Sequence, residues 1–219
     1  MEILTGNIFT TRHQTIVNTV NCVGVMGAGI ALEFRLRYPD MYEKYKILCT
    51  NKLIDIGNLW LYKAEDRWIL NFPTKRHWKF ETKPEYLELG LKKFLETYKE
   101  KGIKSIAFPL LGASHGGLKE EQSLEIMSRY LTHCDIPVQI WRYDPTAEDD
   151  LYNRFITLFL QESEDKLIQQ TGIGRRYIKK LRQAINQPDI KSLSRLSSVE
   201  GIGIKTLEKV FWSIMHKKQ

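Results

Sequence analysis

Short strand-like runs alternate with helical patterns over the first two thirds of the chain, and this alternation restricts the fold more than any other feature. The runs that predict strands are Glu2–Leu4, Thr15–Val20, Leu59–Lys63, Trp68–Phe72, Ser105–Pro109 and Val138–Tyr143. The patterns that predict helices between them are Gly29–Tyr38, Pro84–Lys101 and Glu120–Cys134. Strands that alternate with helices of this length favour an α/β layered domain with a mostly parallel sheet. In such a sheet, ligands bind at the carboxyl ends of the strands.

The segment after the last predicted strand marks the end of this domain. The acidic, proline-containing stretch 144–150 precedes a predicted helix at Leu151–Leu160. We therefore expect three parts: an α/β domain at 1–146, a connecting helix at 147–163 and a small all-α domain at 164–219.

The positive charge of the chain is concentrated in its C-terminal part. The chain has 219 residues and a formal net charge of +7. From residue 164 to the end, twelve Lys and Arg stand against five Asp and Glu, whereas the remainder is balanced. A neutral body with a basic domain indicates a polyanion as the partner of that domain, although basic helical faces are also often simply solvated.

An approximate repeat lies within the basic part. TGIGRRYIKKL (171–181) matches EGIGIKTLEKV (200–210), and each copy has an apolar helix, a Gly-Ile-Gly turn and a second helix. The pattern is similar to the helix-hairpin-helix DNA-binding motif, present twice. Glycine lets a phosphate approach the backbone, and the N–H groups at a helix start bind it without reading sequence. The residues expected to bind DNA are Gly172, Gly174, Arg175, Arg176, Gly201, Gly203 and Lys205. A protein-interaction module is the alternative.

Composition sets further limits. No run of about 18 apolar residues predicts a membrane span, and the first residues lack a basic-then-apolar signal pattern. The three cysteines have no CxxC spacing, so a reduced cytoplasmic protein without a disulfide or zinc framework is the simplest account. We expect no membrane partner. The five histidines are scattered, so we expect a metal-free reaction without a cofactor. We also expect a monomer.

Two glycine-rich segments each join a predicted strand to a helix. In the first, Gly24, Gly27 and Gly29 have the spacing G-x-x-G-x-G, which differs from the dinucleotide-binding fingerprint. Such a cluster is either a close approach to a phosphate or a tight turn without a ligand. The second segment, 105–118, again runs from an apolar strand into three glycines. Two such loops at one sheet edge can grip a diphosphate from both sides.

Four segments, TGNIF, VNTVNCVGVMGAGIALEF, FPTKRHW and LLGASHGGL, resemble those of macrodomains, the ADP-ribose-binding fold. The resemblance covers about 1–144. The first glycine loop together with PTKRHW is similar to the branch that holds the DarG antitoxin macrodomains and the terminal ADP-ribose protein glycohydrolase. This implies a three-layer α/β/α fold with a mixed, mostly parallel sheet.

The resemblance also implies an ADP-ribose site formed by both glycine loops. Asn7 and Ile8 would hold the adenine, on which Tyr143 would stack, and Asn21 would hydrogen-bond the distal ribose. Many macrodomains have an aspartate at the position of Asn7. The residues expected to bind ADP-ribose are Asn7, Ile8, Asn18, Gly24, Val25, Met26, Gly27, Ala28, Gly29, Ile30, Thr74, Leu111, Gly112, Ala113, Ser114, Gly116, Gly117, Leu118 and Tyr143.

The residues expected to carry catalysis are Lys75, Asn21 and His115. Lys75 matches the lysine on which this branch depends; without that motif, a lysine after a strand would be interpreted as solvated surface. We expect Arg76 and Lys79, and also partial burial, to lower its pKa, which would make it a better nucleophile or proton carrier. His115 either acts as an acid or base, binds phosphate, or lies at the rim without a role.

One position departs from part of this branch. In the protein-directed glycohydrolase, the lysine pairs with an aspartate of the second loop, where this chain has Gly116. The departure argues against a covalent lysine–aspartate route and favours the DarG pattern. The lysine either attacks the anomeric carbon or assists the leaving group. Trp78 either packs in the core or stacks on a nucleobase.

Three functions are compatible with these features. The favoured one is an ADP-ribosyl glycohydrolase that removes ADP-ribose from DNA, as DarG-type macrodomains do from thymidine, with the basic domain holding DNA. Its partners would be ADP-ribose, ADP-ribosylated DNA and a DarT-like toxin, although the hairpin domain instead suggests a stand-alone DNA repair enzyme. The second is hydrolysis of ADP-ribose from protein carboxylates, or deacetylation of O-acetyl-ADP-ribose. The third is a non-catalytic ADP-ribose reader tethered to DNA.

Overall fold

A computed structural model describes residues 1–147 and 149–216. The chain divides into two compact units, the first at Met1–Tyr143 and the second from Asp144 onward. The first is an α/β unit and the second is all-helical. None of the described helices is long and apolar enough to cross a membrane.

The α/β unit is built on one six-stranded sheet. Its strands are β1 (Glu2–Gly6), β2 (Thr15–Asn21), β3 (Trp60–Lys63), β4 (Trp68–Lys75), β5 (Ile106–Pro109) and β6 (Val138–Tyr143). They lie in the order β1-β6-β5-β2-β4-β3. Only β3 pairs antiparallel, with β4, and the other pairs are parallel. The predicted mixed, mostly parallel sheet is therefore confirmed.

Four helices cover the two faces of this sheet. They are α1 (Gly29–Arg37), α2 (Pro39–Thr50), α3 (Pro84–Thr97) and α4 (Glu120–Leu131). Sequence analysis did not predict α2. Its signal is a stripe of buried residues four apart, Met41, Tyr45 and Cys49, interrupted by charged positions.

Alternate residues along each strand enter separate cores. Ile16 and Ile69 pack with Phe34 and Tyr45 of α1 and α2. The next residues along the same strands, Val17 and Leu70, point to the opposite face. There they belong to a second core, which includes Leu91 of α3 and Met127 of α4. This is the period-two alternation of a sheet buried on both faces, and it gives the expected three layers.

The topology brings the predicted site segments together. Because β5, β2 and β4 are neighbours, and β2 is parallel to both of the others, their carboxyl ends share one edge of the sheet. The two glycine-rich segments follow β2 and β5, and Lys75 ends β4. This is the edge at which ligands bind in open α/β sheets.

Within its described residues, the second unit contains four α-helices: α5 (Tyr152–Gln161), α6 (Glu164–Thr171), α7 (Arg175–Ile185) and α8 (Ile204–His216). Phe155, Phe159 and Phe211 are fully buried. We expected α5 to be a connector, but hydrogen bonds tie it to the rest of this unit. Tyr152 Oη donates to the Ile190 carbonyl at 2.5 Å, and Arg182 Nε donates to the Phe159 carbonyl at 2.8 Å.

Candidate active site

The end of β4 places Lys75 at the sheet edge through a change of register. Val20 of β2 pairs with Pro73, but Asn21 pairs with Lys75, so Thr74 is an additional residue in β4. Such a bulge bends a strand and redirects its side chains, and bulges concentrate beside active sites. Pro73 is tolerated because pairing with β3 stops at Asn71, so no neighbour on that side needs its missing N–H.

The Lys75 ammonium group lies against the second glycine loop. Its Nζ donates a hydrogen bond to the carbonyl oxygen of His115. Partial burial lowers its pKa below that of an ordinary lysine, and the nearby Glu81 carboxylate partly opposes this shift. The lowered pKa and the contribution of burial agree with our expectation, but the two cations expected to add to the shift do not contribute. Arg76 instead pairs with Asp55, with Nη1 and Oδ1 at 2.7 Å.

Asn21 organises the first glycine loop. Its side-chain oxygen accepts hydrogen bonds from the backbone N–H groups of Val23 (3.0 Å) and Val25 (3.3 Å). Its amide nitrogen donates to the Val25 carbonyl at 2.5 Å. Tyr45 Oη, from α2, donates to the Asn21 carbonyl at 2.5 Å. Asn21 therefore fixes the loop backbone from beneath.

Cys22 connects this loop to the end of β4. Its backbone N–H donates to the Arg76 carbonyl at 3.2 Å, and its thiol donates to the Lys75 carbonyl at 3.3 Å. Burial and the adjacent Asp55 raise the pKa of the thiol to about 12. The first loop and the lysine are thus held by one set of contacts.

The start of α1 has neither a capping side chain nor an acidic residue. Its cap residue, Ala28, offers no side-chain hydrogen bond, and the first turn carries no acidic residue. The start of α4, after the second loop, differs because Glu120 and Glu121 lie in its first turn. Negative groups are stabilised at a helix N-terminus, so the uncompensated partial charge of α1 suits a phosphate.

The second loop is fixed by packing against Thr82. The Thr82 N–H donates to the Gly116 carbonyl at 2.9 Å. A Cβ added at Gly112 would lie 2.8 Å from Thr82 Cγ2, and one added at Gly116 would lie 2.9 Å from Thr82 Oγ1. Side chains at either glycine would therefore displace Thr82, which is buried. Between them, Ser114 has φ of 50°, a left-handed conformation that non-glycine residues seldom adopt.

His115 brings the two loops into contact. A Cβ added at Gly29 would lie 2.9 Å from His115 Cδ2 and 3.4 Å from Nε2. The imidazole ring therefore rests on the backbone at the start of α1, and a side chain at Gly29 would exclude it. Its carbonyl oxygen, on the same residue, accepts the bond from Lys75.

The expected adenine end is less enclosed. The Asn7 side-chain oxygen caps a short 3₁₀ turn by accepting the Phe9 N–H at 3.0 Å, and Ile8 is buried. Tyr143, at the end of β6, has 64% of its surface exposed.

Comparison with known proteins identifies the family to which this fold belongs. The Macro domain family profile matches residues 17–127, half of the chain, and lies within the α/β unit. This chain belongs to the macrodomain family. A DNA ADP-ribosyl transferase–DNA ADP-ribosyl glycohydrolase fusion protein of Thermosipho africanus is 38% identical over 160 residues, which cover 64% of this chain and 41% of that protein. The match thus spans about two fifths of that curated relative.

Two solved structures resemble the macrodomain. Thermosipho africanus DarTG in complex with ADP-ribose has 39% identity and a TM-score of 0.61, covering 64% of this chain and 41% of that chain. The macrodomain of Thermus aquaticus DarG has 38% identity and a TM-score of 0.60, covering 66% of this chain and 97% of that chain.

Several residues expected to bind ADP-ribose lack accessible side chains in this macrodomain. Asn18, Met26 and Leu111 have no exposed surface. Asn18 donates to Asn71 Oδ1 at 2.9 Å, and its own Oδ1 has no partner among the described residues. A ligand bound at the two loops would meet mainly backbone and the exposed positions of the loops.

Sequence analysis missed three contributors to the macrodomain site. Asp55 holds Arg76, Thr82 fixes the second loop, and Glu81 lies near Lys75. Glu81 and Thr82 are the third and fourth residues after the FPTKRHW segment (72–78), and this proximity is a signal that could have found them. Across residues 1–147 and 149–216, no cluster of three or more His, Cys, Asp or Glu could hold a metal ion.

The helical unit contains the two predicted Gly-Ile-Gly turns. Gly172 and Gly201, 29 residues apart, have φ of 63° and 80°, and each follows a helix or a helical turn. Gly174 caps α7, and Gly203 precedes α8. A Cβ at Gly203 would meet nothing within 4 Å, and one at Gly174 would meet only Tyr177 Cδ2 at 3.9 Å.

Equivalent lysines close the two turns reciprocally. Lys180 of α7 donates to the Glu200 carbonyl at 2.9 Å, and Lys209 of α8 donates to the Gly172 carbonyl at 2.5 Å. The two lysines are 29 residues apart, as the glycines are, and their acceptor residues are 28 apart. Each repeat therefore stabilises the turn of the other. The sequence repeat is thus a structural repeat.

The basic residues expected to bind DNA differ in availability. Arg175 is paired with Glu164, at 3.0 Å, and with Asp165. Arg176 and Lys205 occupy equivalent positions in the two repeats, are exposed, and form no ion pair with any residue in the described ranges.

Proposed function

We propose that this chain is an ADP-ribosyl glycohydrolase that releases ADP-ribose from DNA. The observation that carries the proposal is Lys75, a partly buried lysine of lowered pKa, held where the two glycine loops meet. The names of relatives that share 38–39% identity, a DNA ADP-ribosyl glycohydrolase fusion and a DarTG complex with ADP-ribose, support it.

In this proposal, the two glycine loops bind ADP-ribose and Lys75 acts at its anomeric carbon. The diphosphate lies over the start of α1, where Gly27 and Ala28 are exposed and the helix carries no compensating acid. His115 spans the same gap and donates to a phosphate oxygen. The distal ribose then faces Lys75, with Asn21 holding the loop that positions it.

Lys75 has two possible roles at the anomeric carbon. As a neutral amine, it attacks that carbon, the bond to the DNA base breaks, the base takes a proton, and water later releases ADP-ribose from the lysine. As an ammonium group, it protonates the leaving atom while water attacks. The lowered pKa raises the fraction of neutral amine at a given pH. Because the first route needs the neutral amine, it predicts a rate that rises with pH. Because the second route needs the ammonium group, it predicts a rate that falls with pH.

Gly116 disfavours a route through a second-loop carboxylate. An aspartate there would place its Cβ 2.9 Å from Thr82 Oγ1, in a loop tied to Thr82 through its backbone. This favours hydrolysis of DNA-linked ADP-ribose over the protein-directed reaction, whose lysine pairs with such an aspartate.

The helical unit, in this proposal, is a tandem helix-hairpin-helix domain that holds DNA. The reciprocal lysines support two equivalent hairpins, and the open space at Gly174 and Gly203 leaves room for phosphates. A DarT-like toxin as partner is a further prediction, which the fusion of both activities in the Thermosipho africanus relative supports.

The experiment uses a single-stranded oligonucleotide that carries ADP-ribose on thymidine. Wild type should release ADP-ribose, and Lys75→Ala should reduce kcat by about 10²–10⁴-fold while retaining ADP-ribose binding. Lys75→Arg, which keeps the charge but cannot supply a neutral amine, separates the two routes. No release by wild type, with ADP-ribose still bound, would indicate a reader. Release only from ADP-ribosylated protein or O-acetyl-ADP-ribose would indicate the other enzymes.

A further inference from the structure

Directly after Lys75, the chain forms a turn at 77–80 with aromatic residues on its surface, here called the aromatic turn. The Phe80 N–H donates to the His77 carbonyl at 3.1 Å, and the Lys79 N–H donates to His77 Nδ1 at 3.2 Å. Trp78 is 50% exposed and Phe80 is 67% exposed. Core packing of Trp78, one of the alternatives left open by the sequence, is therefore wrong.

The rings of the aromatic turn lie together. The His77 centroid is 5.6 Å from that of Trp78, with 26° between the planes, and 5.5 Å from that of Phe80. The Lys79 ammonium group is 5.2 Å from the Trp78 centroid. The surface thus presents exposed aromatic rings, with a cation over the ring of Trp78.

Both ends of the turn are anchored in the candidate site. Arg76 accepts the Cys22 N–H through its carbonyl and pairs with Asp55 through its guanidinium group. Thr82 donates its N–H to Gly116. The turn is therefore held between the two glycine loops, and two exposed rings lie within a few residues of the lysine that reacts in the proposed function.

We propose that the aromatic turn stacks the nucleobase adjacent to the ADP-ribosylated one, so that the macrodomain itself recognises single-stranded DNA next to the scissile bond. This inference rests on the proposed function. A nucleobase offers a π-face to Trp78 or Phe80, and the phosphate beside it offers a negative charge to Lys79. Aromatic stacking beside a cationic group is how proteins hold single strands without reading sequence.

The test measures binding in the 219-residue chain carrying Lys75→Ala, so that turnover does not consume the probe. The two probes are thymidine bearing ADP-ribose and a trinucleotide bearing ADP-ribose on its central thymidine. We expect the trinucleotide to bind at least tenfold more tightly, the effect of roughly one stacked base. Trp78→Ala with Phe80→Ala should reduce this preference to below twofold, and Trp78→Phe should retain most of it.

Leu89→Ala, a change at an exposed apolar residue of α3, is the matched control and should leave the preference intact. Equal affinity for both probes, a preference that survives the double substitution, or an equal loss for both probes would overturn the inference. A preference of the same size for an ADP-ribosylated peptide would do the same.

The proposed function is tested separately by ADP-ribose release from the trinucleotide with Lys75 present. An aromatic-dependent preference without release would leave the inference standing and refute the glycohydrolase. Release without such a preference would refute the inference alone.

Discussion

Glycines of the second loop and glycines of the helical hairpins occupy opposite environments. Gly112 and Gly116 face inward, where a Cβ would lie within 3 Å of Thr82. Gly174 and Gly203 face open space, and a Cβ there would meet nothing closer than 3.9 Å. The first pair is explained by packing within the protein. Packing does not explain the second pair. The open space beside these two glycines is what a phosphate needs in order to approach the backbone.

The first glycine loop falls between these cases. Gly27 would place a Cβ only 3.8 Å from Val25 Cγ1, an ordinary contact. Among glycines that look alike in sequence, Gly27, Gly174 and Gly203 are therefore those that neither packing nor a positive φ explains. The comparison can be tested by substituting alanine for glycines of the packed kind and for glycines of the unpacked kind.

The largest effect is expected at Gly116. Gly116→Ala should lower the free energy of unfolding by about 1–3 kcal/mol, because the new methyl group meets the buried Thr82 Oγ1. The hydrogen bond from the Thr82 N–H to the Gly116 carbonyl keeps the two residues from moving apart to relieve this contact. Thr82→Ala, which removes that oxygen, should rescue the variant in a double-mutant cycle measured by urea denaturation.

Gly27→Ala is the control for this prediction. It should leave the free energy of unfolding within about 0.5 kcal/mol of wild type while weakening ADP-ribose binding. Equal destabilisation by the two alanines, or no coupling between Gly116 and Thr82, would contradict the packing explanation.

The next effect concerns charge at the hairpins. Arg176→Gln with Lys205→Gln should weaken DNA binding about tenfold at low salt and reduce the slope of log affinity against log salt by about two. Arg175→Gln, the adjacent residue already paired with Glu164, should change the slope much less. The measurement is a salt titration of oligonucleotide binding, and equal slopes for all variants would show that the helical unit does not bind phosphates through these residues.

A smaller effect is expected from the hairpin glycines themselves. Gly174→Ala with Gly203→Ala should weaken DNA binding about fivefold, since a methyl group at each turn holds a phosphate away from the backbone N–H groups. The free energy of unfolding should fall by no more than about 1 kcal/mol, the loss of two glycine caps. Large destabilisation with unchanged DNA affinity would show that packing explains these glycines, as it explains Gly116, and that they do not contact DNA.

The sequence predicted the fold better than it predicted these distinctions. Every predicted strand is present, and the end of β4 is extended to Lys75. The helix α2 was missed because charged residues interrupt its buried stripe. The partners of the site residues were missed for a different reason: Thr82 and Gly116, or Arg76 and Asp55, meet only after the chain has folded, so no local pattern pairs them.

The same limit applies to the helical unit. The repeat and its basic residues were visible in the sequence, and the 29-residue offset recurs in the structure. That Arg175 is paired while Arg176 is not depends on the direction of each side chain from α7, which a count of charges does not contain.

The smallest expected effect tests the symmetry of the two hairpins. Lys180→Met and Lys209→Met each remove one hydrogen bond to a turn carbonyl and keep the aliphatic stem. Each should lower the free energy of unfolding by less than about 1 kcal/mol, and by similar amounts. A difference of more than about 1 kcal/mol in urea denaturation would show that the two turns are not equivalent.

The thiol that connects the first loop to Lys75 has a practical consequence. Its pKa of about 12 leaves almost no thiolate at neutral pH, and burial raises the pKa of the other two cysteines as well, that of Cys134 to about 11. Since the thiolate is the form that reacts, oxidants, disulfides and alkylating reagents should attack all three slowly. A cysteine introduced on the surface would therefore take a fluorophore or cross-linker selectively, without removal of the native thiols.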